Sequence, residues 1–177
     1  MGNIVYIGTS LDGFIADRNG GLEWLEAVPN PDNDDLGWEK FLEGIDAIVM
    51  GRKTFQTVLG FGVGWPYPKK TFVLSSTLEH LPAGFEGEVE IINGAVAGIL
   101  RALNFRGYKN LYIDGGTTIR QFLSEDLIDE LIINRLPILL GGGVPLFGEL
   151  PEPLLFEHVQ TTVLLNEMVM SRYRRKK

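Results

Sequence analysis

The chain of 177 residues contains no cysteine. Disulfides, thiolate zinc sites and a cysteine nucleophile are therefore excluded, and a reducing compartment suits the chain. Histidine is nearly as scarce. His80 and His158 stand alone, with no carboxylate or second histidine at metal-ligand spacing, so no metal site is expected. No apolar run approaches the ~20 residues that a membrane span needs. The opening Met-Gly-Asn-Ile-Val-Tyr has no basic segment leading an apolar one, so no secretory signal is expected and the predicted location is cytoplasmic.

Bases are also few outside the C-terminus. The last six residues hold five of the sixteen, which leaves residues 1 to 171 with 11 bases against 23 acids. Such an acidic body repels nucleic acid, and the basic tail reads as a solvated terminus. A polyanionic ligand would need local bases to bind. There is no Walker loop and no G-x-S-x-G elbow, and neither glycine cluster (60–64, 141–143) gives G-x-G-x-x-G.

The remaining composition is that of a globular protein, 45% apolar and 22% charged. At this length a single domain, 1–177, is expected, burying roughly two thirds of its unfolded surface. Residues 3–10 read as a strand, nearly all apolar and hence central, followed by a glycine-punctuated loop over 11–21 that could act as a lid. Trp38, Phe41, Leu42 and Ile45 recur at i, i+3, i+4 and i+7, one helix stripe opened by the acid-rich turn 32–35. Strands at 46–50, 71–74, 89–92 and 110–113 alternate with helices at 53–59, at Val96 to Leu103 with Asn93 as cap, and at 117–124 with Ile119, Phe122 and Leu123 inward. The last third is strand-like instead. A run over 127–140 is kinked by Pro137 and the glycines 141–143, and runs 157–165 and 167–174 form a hairpin at Asn166. This order predicts an α/β fold, a mostly parallel central sheet finished by antiparallel C-terminal strands.

Two stretches carry the chemistry. Ile48-Val49-Met50-Gly51-Arg52-Lys53-Thr54-Phe55 is a buried strand entering a helix, with a glycine for close backbone approach and two bases and a hydroxyl for an anion. Leu111-Tyr112-Ile113-Asp114-Gly115-Gly116-Thr117-Thr118 repeats the order of strand, glycine, hydroxyl and helix. Each alone reads equally as an ordinary strand-to-helix turn; the pair suggests one long, two-ended anionic ligand such as a dinucleotide.

SLDGFIA (10–16), MGRKTF (50–55), VLSS (73–76), DGG (114–116) and LPILLGGGVPLF (136–147), in that order, resemble the dihydrofolate reductase superfamily, and within it the branch containing the reductase domain of bacterial riboflavin biosynthesis. The resemblance runs from about residue 3 to 173 and implies a three-layer sandwich of the dihydrofolate reductase type. It implies a stand-alone reductase without the zinc deaminase, since no cysteine is present. It also implies NADPH as cofactor. On this resemblance Arg52 and Lys53 would face the 2′-phosphate and neighbouring pyrophosphate, with the Thr54 hydroxyl beside them, and Ser75 and Ser76 would add hydroxyls around the same phosphate. Gly51 and the Asp114, Gly115, Gly116 turn, with Thr117 and Thr118, would admit the diphosphate and nicotinamide side. Gly8, Ile15 and Ala16 would form the wall against the nicotinamide.

The activity implied is hydride transfer to a pteridine or pyrimidine, similar to 5-amino-6-(5-phosphoribosylamino)uracil reductase. Dihydrofolate reductase activity and a non-catalytic NADP(H)-binding sensor or interaction protein are the alternatives. Asp35 lies fifteen residues before Met50 in an Asp-Leu-x-Trp context like that of folate enzymes, where an acid holds the pterin. It reads equally as a helix cap. Asp12 is the second catalytic candidate, as a substrate contact or a turn residue. Relatives of this kind also imply a homodimer formed through the C-terminal strands.

Overall fold

The computed structural model describes residues 2–177; Met1, where the expected N-terminal segment and domain begin, lies outside them. The strands are β1 (Gly2–Thr9), β2 (Phe14–Ala16), β3 (Ala47–Gly51), β4 (Lys70–Leu74), β5 (Val89–Ile92), β6 (Asn110–Asp114), β7 (Glu130–Arg135), β8 (Val144–Pro145), β9 (Phe156–Leu164) and β10 (Met168–Arg175). The α-helices are α1 (Trp38–Glu43), α2 (Arg52–Gly60), α3 (Val96–Phe105) and α4 (Gly116–Ser124). A short 3-10 helix spans Glu23–Ala27.

Eight strands make one sheet in the order β5-β4-β3-β6-β1-β7-β10-β9. The first six are parallel, and β10 and β9 run antiparallel at the far edge. Period-two alternation splits the side chains between two faces. Val49, Phe72, Leu111, Ile113, Leu131 and Ile133 pack with α3 and α4 through Val96, Ile99, Leu103, Ile119, Phe122 and Leu123. Ile48, Met50, Val73 and Tyr112 pack instead with Trp38, Phe41 and Ile45 of the α1 region and Phe55 and Leu59 of α2. A strand buried on both faces must be apolar at every position, which is why β3 reads AIVMG. Helix, sheet and helix form the three layers that the sequence predicts.

Four local expectations differ. Asn93 does not cap α3; Ala95 occupies the N-cap position and no side chain bonds there. The run 127–140 is a strand only over Glu130–Arg135, because Pro137 cannot supply a ladder N–H. The 11–21 loop is stapled rather than free: β2 pairs with β8, Leu11 donates to the Ile138 carbonyl and Leu146 to that of Gly13. The basic tail belongs to the sheet, with Arg172 on Glu130 at 2.6 Å, Arg175 on Asp126 at 2.6 Å and Lys177 on Asp129 at 2.7 Å. Hairpin register, absent from a charge count, brings those bases onto acids of the β7 region.

Candidate active site

Parallel strands end together, so Thr9, Gly51, Leu74, Ile92, Asp114 and Arg135 all arrive at one edge of the sheet. In open parallel sheets that carboxyl edge is where ligands bind. Both glycine turns lie there, and they interlock. A Cβ on Gly51 would stand 2.9 Å from the Thr118 hydroxyl, and one on Gly115, whose φ is +87°, would collide with the Thr54 hydroxyl. Each turn thus holds the threonine of the other, and β3 and β6 are neighbouring strands in register through Met50 and Asp114. The sequence paired the two turns only by analogy of order; the sheet sets them side by side.

Thr118 is accordingly 2% exposed and Thr54 is partly buried, both spent on packing, while Thr117 and Lys53 face solvent. Gly116 lies under Ile15, whose Cδ1 would be 2.7 Å from a Cβ, so the loop after β1 reaches the second turn. Ala16 is buried where β2 meets Val144 of β8, and Gly8 lies beneath Leu25 of the 3-10 helix.

Beside the first turn opens a cleft of about 370 Å³ lined by Arg52, Ser75, Ser76, Thr77, Asn93 and Gln121, among others. Among the described residues Arg52 is its one charged lining group, and it donates to the Thr77 hydroxyl at 2.8 Å. The Ser75 oxygen accepts from the N–H groups of Thr77 and Leu78 at 3.2 and 2.8 Å, so it shapes the turn as well as lining the cleft. Thr77, Asn93 and Gln121 escaped sequence reasoning because nothing in a single chain marks a polar residue at a strand or helix end as lining.

Asp35 and Asp12 are both exposed and both bonded to backbone. Asp35, two residues ahead of the N-cap Gly37, accepts from Gly37 and Glu39 N–H at 2.8 and 2.9 Å, and those bonds hold its carboxyl below the usual range. Asp12 accepts from the Ser10 hydroxyl at 2.6 Å and from Gly141 and Leu140 N–H at 2.7 and 3.1 Å, which likewise lower it and tie the two loops together.

Asp114 is the opposite case. Partly buried at the end of β6, it points to the α1 side of the sheet, where Tyr67 donates to it at 3.4 Å and Tyr112 faces it. Burial drives its carboxyl above the ordinary range, and the Gly115 N–H and the nearby phenols of Tyr112 and Tyr67 only partly oppose that. The Tyr112 hydroxyl donates to the Tyr6 carbonyl, and the Tyr6 hydroxyl to the Leu36 carbonyl. Tyr6, Trp38, Phe41, Tyr67 and Tyr112 form one aromatic patch there, Tyr6 and Phe41 stacked and the other contacts edge-on or tilted. On this side Asn134, 4% exposed, leaves its side-chain oxygen without a donor. Tyr67 and Asn134 carry no motif and were missed.

The glycine cradles and the arginine-serine cleft fit a dinucleotide carrying an extra phosphate. Residues 4–170 match the family of the RibD C-terminal domain. The chain is 34% identical over 150 residues, 83% of each chain, to the uncharacterized protein YwjB of Bacillus subtilis. It superposes at a TM-score of 0.97, with 51% identity over the full length of both chains, on a Shewanella sp. PV-4 protein assigned provisionally to riboflavin biosynthesis. A diaminohydroxyphosphoribosylaminopyrimidine deaminase/5-amino-6-(5-phosphoribosylamino)uracil reductase from Thermotoga maritima gives 0.71 at 18% identity, over 98% of this chain and 56% of that one. Dihydrofolate reductase from Enterococcus faecalis, complexed with NADP(H), gives 0.69 at 22% identity over 98% and 96%. These last two share the fold.

Proposed function

The chain belongs to the RibD C-terminal domain family, within the dihydrofolate reductase superfamily, and from that premise we propose that it is an NADPH-dependent reductase of a pteridine or pyrimidine. The observation that carries this reading is the pair of interlocked glycine turns beside the Arg52 cleft. The turns let backbone come close to a diphosphate, and Arg52 with Ser75 and Ser76 suits a terminal phosphate monoester. NADPH, when bound, supplies the hydride. The protein's part is to bind, orient and exclude water. Ile15 contributes an apolar wall over Gly116, with Ala16 next to it in β2, and the aromatic patch with Asn134 offers a mostly apolar bed with a few polar atoms for a heterocycle. Asp35 and Asp12 stay ionised in this reading, suited to accepting a bond from the heterocycle rather than to giving up a proton. In this reading the protein works in the cytoplasm as a homodimer.

Quenching of tryptophan fluorescence by NADPH and, in parallel, NADH tests the reading. Saturable binding at least tenfold tighter for NADPH is expected, as is NADPH oxidation with dihydrofolate or a ribosylaminopyrimidine. Equal affinity for both dinucleotides would remove the phosphate cleft from the account; no binding of either would remove the reductase.

A further inference from the structure

The two ends of the site differ in charge. Arg52 and Lys53 stand at the first glycine turn, where α2 begins and the cleft opens. The aromatic bed is bordered by acids instead. Residues 32–43, which lead into and form α1, hold Asp32, Asp34, Asp35, Glu39 and Glu43 against one base, Lys40. Trp38 and Phe41 turn inward to the sheet, whereas Lys40 is exposed. Burial raises the phenols of Tyr6, Tyr67 and Tyr112, and carboxylates add to it: Asp35 and Asp34 at Tyr6, Asp114 at Tyr67 and Tyr112.

The bases that come nearest the bed along the carboxyl edge are engaged elsewhere. Arg18 donates to the Gly141 carbonyl at 2.8 Å and Arg120 to that of Pro145. Arg172 pairs with Glu130, and Arg135 alternates onto the face of β7 that Leu131 and Ile133 present to α3 and α4. An anion on the bed would therefore meet carboxylates with no cation to compensate them.

Asn134 adds a directional demand. By the same alternation it faces the α1 side, beside the Tyr6 phenol, and it is 4% exposed. Its side-chain oxygen has no donor among the described residues. A buried acceptor left open in this way asks for a ligand donor. A ring N–H or an exocyclic amino group meets that demand; a phosphate or carboxylate oxygen cannot.

We propose that the acceptor is an uncharged heterocycle, carrying neither a phosphate nor a carboxylate tail, that presents an N–H group to the Asn134 oxygen. The inference rests on the reductase reading and narrows its acceptor class. Phosphate recognition then belongs wholly to the cofactor end, and the acidic border of the bed discriminates against anionic acceptors by repulsion.

The test is NADPH oxidation with two matched pairs of acceptors: a 6-ribosylaminouracil without and with its 5′-phosphate, and 7,8-dihydropterin beside dihydrofolate, which adds an anionic tail to the same ring. The uncharged member of each pair should have a kcat/KM about tenfold or more the higher, the scale of uncompensated like charge. Asp34→Asn, which keeps an oxygen for the Leu36 N–H, should raise kcat/KM for the charged members about twofold and leave the uncharged ones unchanged. Asn134→Leu should raise KM for the uncharged members about tenfold at unchanged kcat and unchanged NADPH affinity. Equal use of both members, or preference for the charged member of either pair, overturns the inference while the reductase reading stands, and an unchanged KM in Asn134→Leu overturns the role of Asn134. Failure of the wild-type protein to oxidise NADPH with any of the four overturns that reading and the inference together.

Discussion

Asp35 accepts from two backbone N–H groups at the start of α1, and Asp114 lies among phenols with no ion-pair partner among the described residues; their effects on stability against pH therefore have opposite signs. Backbone N–H bonds lower the folded-state value of Asp35. Its contribution is present above the unfolded aspartate value of about 3.9 and is lost as pH falls through the folded one. Desolvation raises Asp114. Its neutral form costs nothing below about pH 3.9, and the folded state loses stability as pH rises from there through the raised value. Melting temperature measured from pH 3 to 8 separates them. Asp35→Ala should be less stable than wild type at neutral pH and should converge with it in acid. Asp114→Asn should match wild type in acid and exceed it at pH 8. An Asp114→Asn curve parallel to wild type across the range would mean that Asp114 titrates as an ordinary aspartate.

The functional unit at the next scale is the pair of turns that join β3 to α2 and β6 to α4. Gly115 combines φ +87° with a threonine hydroxyl where its side chain would project, so alanine there meets both backbone strain and a clash. Gly115→Ala should cost about 2 kcal/mol or more by chemical denaturation. Thr54→Ala should return part of that in the double variant, since it removes the colliding atom, giving a coupling of roughly 0.5–1 kcal/mol. Strictly additive effects would show that the turns do not touch. The sequence displayed these elements well, because the inner strands of the parallel half are apolar at consecutive positions and α1, α3 and α4 each show a stripe. The interlock itself was invisible, since Gly51 and Thr118 lie far apart in the chain and meet only through β3–β6 register. Asn93 was misread as a cap because an asparagine before a helix stripe has the same local signature whether it bonds the helix or, as here, lines a cleft. Tyr67 was silent for a related reason. A tyrosine in a loop rich in proline and glycine gives no hint that its hydroxyl reaches the end of a strand 47 residues away.

On the scale of the whole molecule, the net charge of −7 opposes a ligand that is itself a polyanion, while Arg52 in the cleft and Lys53 beside it attract it. Which field governs capture depends on how far charge is felt. At 0.01 M ionic strength the screening length is about 30 Å and an approaching dinucleotide experiences the entire acidic body; at 0.15 M it is about 8 Å and only the bases near the cleft remain in range. The association rate of NADPH, followed by stopped-flow tryptophan quenching, should therefore rise about threefold between those two conditions, where screening relieves the body's repulsion. It should fall again toward 1 M, where a length of about 3 Å screens Arg52 as well. The dissociation rate should climb throughout, because the ion contact weakens at every step. Arg52→Gln should keep the initial rise and lose the later fall. An association rate that declines from the lowest salt onward would mean instead that the bases of the cleft dominate at long range and that the acidic surface lies mostly on the opposite side of the molecule.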